Sequence, residues 1–382
     1  MNASDFTSKA AGALVPTLNG QVAFLPALLP PEVAYDSRVV LALSRADAAL
    51  SELSGLGRHL PNPHLLIVPY TRREAVLSSR IEGTRASLSD VLRDEVEEEI
   101  TNSTDEDVRE VRNYVLALDH GIGRLATLPL SLRLVREMHE RLMAGVRGDQ
   151  AHPGEFRLVQ NWIAPAGASI EQAEYVPPPP DRLDELLANW ERFLHVRDTM
   201  PDLVQCGIIH AQFETIHPFI DGNGRLGRLI VPLFLIERGR LSQPLLYLSA
   251  YLEAHRRDYY TLLQHIRTEG DWLGWLHFFL TGVTETATEA VKQASRLMDL
   301  RERYRLGLRN KPTAQALVDE LFMNPYVTIA RAAATLGVSH PAARAAVMLL
   351  QSQGILEEIT GRSWGRIFLA TPILDAIEEP PT

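Results

Sequence analysis

Cysteine is almost absent from the chain. Cys206 is the only one in 382 residues, so neither an intrachain disulfide nor a cysteine-rich zinc site can form, and a reducing compartment fits. Long apolar runs are missing too. The longest, residues 229–236, falls far short of the roughly 20 residues that a bilayer core requires, and Pro232 interrupts it. The N-terminus, with Asp5 and Lys9 ahead of a short Ala-Ala-Gly-Ala-Leu stretch, lacks the basic start and apolar core of a signal peptide. The expectation is a cytoplasmic protein with no membrane partner. Positive charge is also scarce: 38 Lys and Arg stand against 48 Asp and Glu, a net charge of -10. That excludes a globally basic polyanion binder and leaves a compact anion site open.

What is present is ordinary for a folded protein, 46% hydrophobic and 23% charged, long enough for two to four domains. Apolar residues recur at helical spacing over residues 36–56, 70–82 (with Gly83 at a helix end), 111–125, 130–143, 182–196, 203–216 and 224–239. Residues 1–30 read as an extended arm. Residues 160–164 and 173–176 flank a Pro165-Ala166-Gly167-Ala168 turn and read as a small β-hairpin, closed by a four-proline tract. Residues 90–110 hold ten acidic against two basic residues, the composition of a solvated face or mobile connection. Near the C-terminus, helical patterns over 328–336 and 340–353 flank Gly337-Val338-Ser339, and two short strands follow up to Leu369. This is a winged helix-turn-helix pattern. From Phe322 to Ala370 its charges are Arg331, Arg344, Arg362 and Arg366 against Glu357 and Glu358, a thin footprint for DNA.

The most informative segment is His217-Pro-Phe-Ile-Asp-Gly-Asn-Gly-Arg-Leu-Gly-Arg228. Its Gly222-x-Gly224-x-x-Gly227 spacing matches the dinucleotide fingerprint literally, but no strand precedes it and no βα alternation surrounds it, so a Rossmann turn is rejected. A phosphate cradle explains more. Gly222, Asn223 and Gly224 can turn successive amides inward and open directly into a helix N-terminus, which carries partial positive charge. Arg225 and Arg228, three apart, are expected to share a face and reach one anion. Cations in a first turn oppose the helix dipole, so their placement makes better sense with an anion present. Asp221 beside such a cradle calls for a divalent cation, and Mg²⁺ suits one carboxylate plus phosphate oxygens. His217, five residues before the cradle, has the chemistry of a general base.

This twelve-residue segment resembles the signature of the Fic (Fido) family of protein adenylyltransferases. The resemblance extends through Pro153-Gly-Glu-Phe-Arg157, Asn161-Trp-Ile163, Tyr175-Val-Pro-Pro-Pro179 and Leu248-Ser-Ala-Tyr251 to Arg267-Thr-Glu-Gly-Asp-Trp272. It implies transfer of AMP from ATP to a Tyr, Thr or Ser hydroxyl, with His217 as base, Asp221 as Mg²⁺ ligand, and a nucleotide site formed by residues 221–228 (Asp221, Gly222, Asn223, Gly224, Arg225, Leu226, Gly227, Arg228). The 160–176 hairpin resembles the family's flap, which pairs with the target protein as an added strand. His255 stands where similar sequences commonly carry an asparagine near the adenine.

A second motif, Ser78-Ser-Arg-Ile-Glu82-Gly83, resembles the family's inhibitory helix, and Arg228 is the natural partner for Glu82. The fold expected is therefore mainly α. It comprises an N-terminal helical region over 1–125 with an inhibitory helix at about 70–84, a Fic-type core over 126–281 with the hairpin flap, a helical connector over 282–320, and a winged helix-turn-helix domain over 321–382. The partners implied are ATP and a target protein. The sequence leaves room for a homodimer and supports DNA weakly.

Overall fold

The computed structural model describes residues 1–60, 62–97, 105–146, 152–165 and 167–378. Residues 98–104 of the acidic stretch, Ala166 of the flap turn and residues 379–382 of the C-terminal module lie outside them.

Helices dominate among the described residues. A β-hairpin comes first, β1 (Gly12–Pro16) against β2 (Val22–Pro26). The helices α1 (Ser37–His59), α2 (His64–Ile81), α3 (Leu88–Glu97), α4 (Glu106–Arg124) and α5 (Leu132–Leu142) follow. The centre consists of α6 (Leu183–Leu194), α7 (Asp202–Ile216) and α8 (Asn223–Glu237). Next come α9 (Ser249–Ala254), α10 (Arg256–Glu269) and the 36-residue α11 (Trp272–Gly307). The chain closes with α12 (Pro312–Met323), β3 (Tyr326–Thr328), α13 (Ile329–Leu336), α14 (His340–Ser352), β4 (Glu357–Glu358), β5 (Ile367–Leu369) and α15 (Thr371–Glu378).

The two most apolar patterns become the buried centre. Every residue of α7 from Leu203 to Ile216 is buried, and α8 is buried nearly all round, as a helix without a polar face must be. They pack on each other, with α5 and α4 against α8 and with α6, α10 and α11 around α7. The long α11 is paired with α1 and runs without a break through residue 281, where the sequence suggested that the core ends. In the C-terminal module α13 and α14 are joined by a turn at Gly337, and the sheet order is β3-β5-β4. α12 packs on α14, and α15, which sequence patterning did not suggest, packs on α11 and α2.

Two expectations change. Residues 1–30 are not merely an extended arm, because β1 and β2 pair over five residues in register Gly12 to Pro26. The flap is less regular than expected: its only ladder contact among the described residues is the antiparallel bridge of Ile163 with Tyr175, and a 3₁₀ turn occupies residues 170–172. The two features are neighbours, since Phe24 N–H donates to the Val176 carbonyl at 3.0 Å and Ala11, Phe24 and Tyr175 form a small apolar cluster.

Candidate active site

The site lies where α7 ends and α8 begins. His217 caps α7 in the left-handed conformation, φ 50° and ψ 61°, unusual for a residue other than glycine. Its surroundings over-determine that backbone. The His217 carbonyl accepts from Arg157 Nε at 2.9 Å, Arg157 N–H donates to the Pro218 carbonyl at 2.9 Å, and Asn161 Nδ2 donates to the Phe219 carbonyl at 2.9 Å. Strain held in this way is common at functional sites. The imidazole pKa falls to about 3, chiefly through burial and then the charges of Arg157 and Arg267, so the ring is neutral throughout the physiological range. Its buried Nδ1 faces the Glu214 carbonyl without a well-formed hydrogen bond.

The loop into α8 is fixed from below by His139 on α5. Gly154 N–H donates to His139 Nδ1 at 2.8 Å, so Nε2 carries the proton and donates to the Asp221 carbonyl at 3.0 Å. The ring stacks on Phe219 at 3.8 Å, and burial lowers its pKa to about 4. Gly222 then turns the chain with φ +78°, and a Cβ there would stand 2.8 Å from Met143 Sδ, so both conformation and space demand glycine. Asp221, with its side chain half exposed, accepts from Gly222 N–H at 2.6 Å.

At the amide end of α8 an anion is already present. It is the carboxylate of Glu82, the residue that caps α2. A Cβ on Gly224 would collide with Glu82 Oε1, which places that oxygen against the backbone of the first turn. Arg228 clamps it. Nη2 donates to Glu82 Oε1 at 2.6 Å and to the Ser78 carbonyl at 3.0 Å, and Nε donates to Ser78 Oγ at 2.8 Å. Burial works to raise the Glu82 pKa, but the charge and hydrogen bond of Arg228, helped by Arg225, outweigh it and hold the carboxyl below its ordinary value. A carboxylate at the C-terminus of α2 opposes that helix's dipole; at the N-terminus of α8 it is favoured.

Several sequence-assigned residues are placed differently from expectation. Arg225 and Arg228 do not converge on one anion. The Arg225 guanidinium is buried against Glu110 on α4 at 3.5 Å, with Met143 Sδ at 3.7 Å and Asp221 at 3.8 Å. Asn223 turns inward, its carboxamide exchanging two 2.9 Å hydrogen bonds with the backbone of Phe219. Leu226 is fully buried, and Gly227 serves the contact with α7, where a Cβ would collide with Glu214 Oε1. His255 lies between α9 and α10 with its ring against Tyr251 at 4.3 Å and Phe278 at 6.4 Å; no contact among the described residues joins it to the cradle.

Patterning also left two side chains close to Glu82 and Arg228 unassigned. Glu214, three residues before His217 and buried, keeps Oε1 without a hydrogen bond, and burial raises its pKa to about 7 against the pull of Arg228. Tyr260 presents a ring 42% exposed within electrostatic reach of Glu82, Arg228 and Glu214, an aromatic wall suited to a nucleobase. The Tyr259-Tyr260 pair was a usable signal, since only one of two adjacent helical aromatics can face the core.

Comparison with known proteins now decides the family. Residues 40–123 match the Fic/DOC family N-terminal domain and residues 129–235 match the Fic/DOC family, together half of the chain. The chain belongs to the Fic/DOC family. It is similar to the "Protein adenylyltransferase Fic" of Culex quinquefasciatus, 29% identical over 175 residues that cover 44% of this chain and 31% of that one. It also resembles a "Probable protein adenylyltransferase" of Aquifex aeolicus, 36% identical over 84 residues, 22% of this chain and 26% of that one. The chain thus spans under a third of the length of these curated relatives. A crystal structure of a Fic family protein from Desulfovibrio desulfuricans G20 shares the fold, with a TM-score of 0.59 at 20% identity over 90% of this chain and 98% of that one. No helix among the described residues is long and apolar enough to cross a membrane.

Proposed function

We propose that this Fic/DOC protein is an autoinhibited protein adenylyltransferase that moves AMP from ATP to a Tyr, Thr or Ser hydroxyl of a target protein and of itself. The carrying observation is a neutral His217 held beside a helix N-terminus where an anion, the Glu82 carboxylate, already lies against Gly224 in the grip of Arg228. In the reaction the hydroxyl oxygen bonds to the α-phosphorus, the bond from that phosphorus to the β-bridging oxygen breaks, and pyrophosphate leaves. The hydroxyl proton goes to the imidazole. With Nδ1–H facing the Glu214 carbonyl, the Nε2 lone pair is the accepting one. The α8 amides and Arg228 hold the polyphosphate, a task of position and electrostatics. Arg225 supports this from behind, through its contacts with Asp221 and Glu110.

The residues fit a magnesium ion. Asp221 is a single, half-exposed carboxylate with one oxygen committed to Gly222 N–H, next to the cradle, and Mg²⁺ typically takes one or two carboxylates, phosphate oxygens and water. Bound there, it supplies charge neutralisation on the phosphates. Glu82 occupies the Arg228 contact that an ATP phosphate needs, and this is the autoinhibition. The flap receives the target segment as an added strand, and its exposed Leu158, Val159 and Trp162 support that role. For the C-terminal module, protein recognition is favoured over DNA, because one of its four arginines, Arg331, is engaged on the Glu95 carbonyl. A cytoplasmic setting completes the reading.

Incubation with α-labelled ATP and a cell lysate tests it. Label transferred to protein, increased in Glu82→Gly, supports the proposal. Release of AMP from a pre-labelled target, with Glu82 positioning the water that attacks phosphorus and returns the hydroxyl to the target, would instead assign hydrolytic de-AMPylation to this site. Operator binding with neither activity would make the chain a nucleotide-sensing regulator.

A further inference from the structure

The turn that follows the inhibitory helix is tied to the catalytic helix through a residue that neither motif contains. Thr84, two residues beyond Glu82, is buried, and its Oγ1 donates to Glu110 Oε2 at 2.7 Å. The same carboxylate oxygen stands 3.5 Å from Arg225 Nη1. Glu110 is itself 6% exposed and sits in the second turn of α4. A second bond runs beside the first, Arg85 N–H donating to Asp107 Oδ2 at 2.8 Å one turn earlier on α4. From the other side, α4 holds the end of α5, where Asn113 Nδ2 donates to the Leu142 and Ala144 carbonyls at 3.3 and 2.8 Å. Met143, between them, touches both Arg225 and the position of Gly222. One helix therefore grips the exit of the inhibitory segment and the floor of the cradle.

We propose that Glu110 is a positioning residue: through Thr84 it latches the Glu82-Gly83 turn over the cradle, and through Arg225 it registers that latch to the catalytic helix. This rests on the adenylyltransferase reading above and names a second element of its regulation. Geometry gives the latch leverage. Arg228 can hold Glu82 only if the chain leaves α2 in the observed direction, which requires φ +103° at Gly83. The backbone bonds Glu82 N–H to Ser79 O, Gly83 N–H to Arg80 O and Thr84 N–H to Ser79 O, at 3.0, 3.0 and 3.2 Å, are all local. The Thr84 hydroxyl fixes that short turn to another helix. A hydrogen bond to a buried carboxylate is stronger than a neutral one, and its loss leaves the acceptor short of a donor.

The test uses the full chain with Thr84→Val, which keeps the shape and removes the hydroxyl, and Thr84→Ser, which restores it. Amide hydrogen exchange at residues 82–84 should quicken about tenfold in Thr84→Val, the factor for one charge-assisted hydrogen bond, and return towards wild type in Thr84→Ser. Self-labelling from α-labelled ATP should rise by about the same factor, and Thr84→Val should add nothing further once Glu82→Gly has removed the inhibitor. A role in general stability would instead lower labelling equally in both backgrounds, and that result overturns the proposal. So does unchanged exchange at residues 82–84. If Glu82→Gly itself labels nothing while exchange responds to Thr84→Val and recovers in Thr84→Ser, the transfer reading fails and the latch stands.

Discussion

Two charged segments of this chain behave in opposite ways. Residues 217–228 are contiguous, glycine-rich and placed on one helix junction, and their spacing points to an anion cradle. Residues 90–110 are so acidic that they read as solvated, yet Asp94 and Glu110 are buried and Glu95 is bonded to Arg72, at 2.5 Å, and to Asn324 of the C-terminal module at 3.1 Å. The difference is where the partners come from. Residues 217–228 fix their own turn, Asn223 on Phe219 and Gly222 on Asp221, and only their two arginines reach out to carboxylates of other helices, Glu110 and Glu82. The acidic segment draws its partners from elsewhere in the chain: Thr84, Arg225, Arg72, Arg112 and Asn324. Charge density alone does not separate a hydrated surface from a set of buried anchors.

The hardest way to break this comparison is to disable the contiguous segment. His217→Ala in a Glu82→Gly background should reduce protein labelling from α-labelled ATP by at least about 100-fold, the low end for losing a general acid–base group, in protein that still shows a cooperative thermal melt. Persistence of labelling would move the chemistry to another residue.

A second substitution pair divides the acidic segment itself. Glu110→Ala takes the buried carboxylate from Arg225, leaving it only the half-exposed Asp221 at 3.8 Å, and from the Thr84 hydroxyl, and should cost about 3 kcal/mol of unfolding free energy. Glu97→Ala removes a partly exposed i,i+4 pair with Arg93, a contact that should cost under about 0.5 kcal/mol. Equal costs in denaturant melts would return the stretch to the solvated reading. Between these limits, Asn324→Ala removes a donor from the Leu92 carbonyl and from Glu95. It should cost about 1–2 kcal/mol, measured in the same way.

How far the sequence carries follows from the same contrast. The eight helices from α1 to α8 lie within a few residues of their apolar patterns except α3, whose seam of Leu88, Val91, Leu92 and Val96 was hidden by its acids. Ser78 and Glu82 share a helix face as their spacing suggested, and both meet Arg228, the partner that the family resemblance implied for Glu82. The divergence of Arg225 from Arg228 was not legible: positions three apart share a face, but where a long side chain goes depends on whether a carboxylate such as Glu110 waits on a neighbouring helix. Asn223 is misleading for a related reason, since a carboxamide at a helix entry serves a backbone pair as readily as a ligand. The β1–β2 hairpin shows no alternation because its partners include Val176 and the flap cluster as well as the other strand.

A small shift in melting temperature separates two carboxylates of the site that titrate in opposite directions. Glu82 is lowered by Arg228, so its contribution to stability is present above its unfolded value and is lost as pH falls through the folded one. Glu214, raised by burial from 4.5 to about 7, contributes stability that is present below 4.5 and lost as pH rises through about 7, because over that window the folded state holds a proton that the unfolded chain has released. Glutamine imitates the protonated form. Glu214→Gln should therefore melt close to wild type at pH 5 and about 3 °C above it at pH 7.5, with the histidines lowered by burial and the raised Glu74 contributing equally to both proteins. A gap that stays constant across this range would mean that Glu214 is ionised in the folded protein, and the open oxygen beside Gly227 would then have to be carried by Arg228 and Arg267.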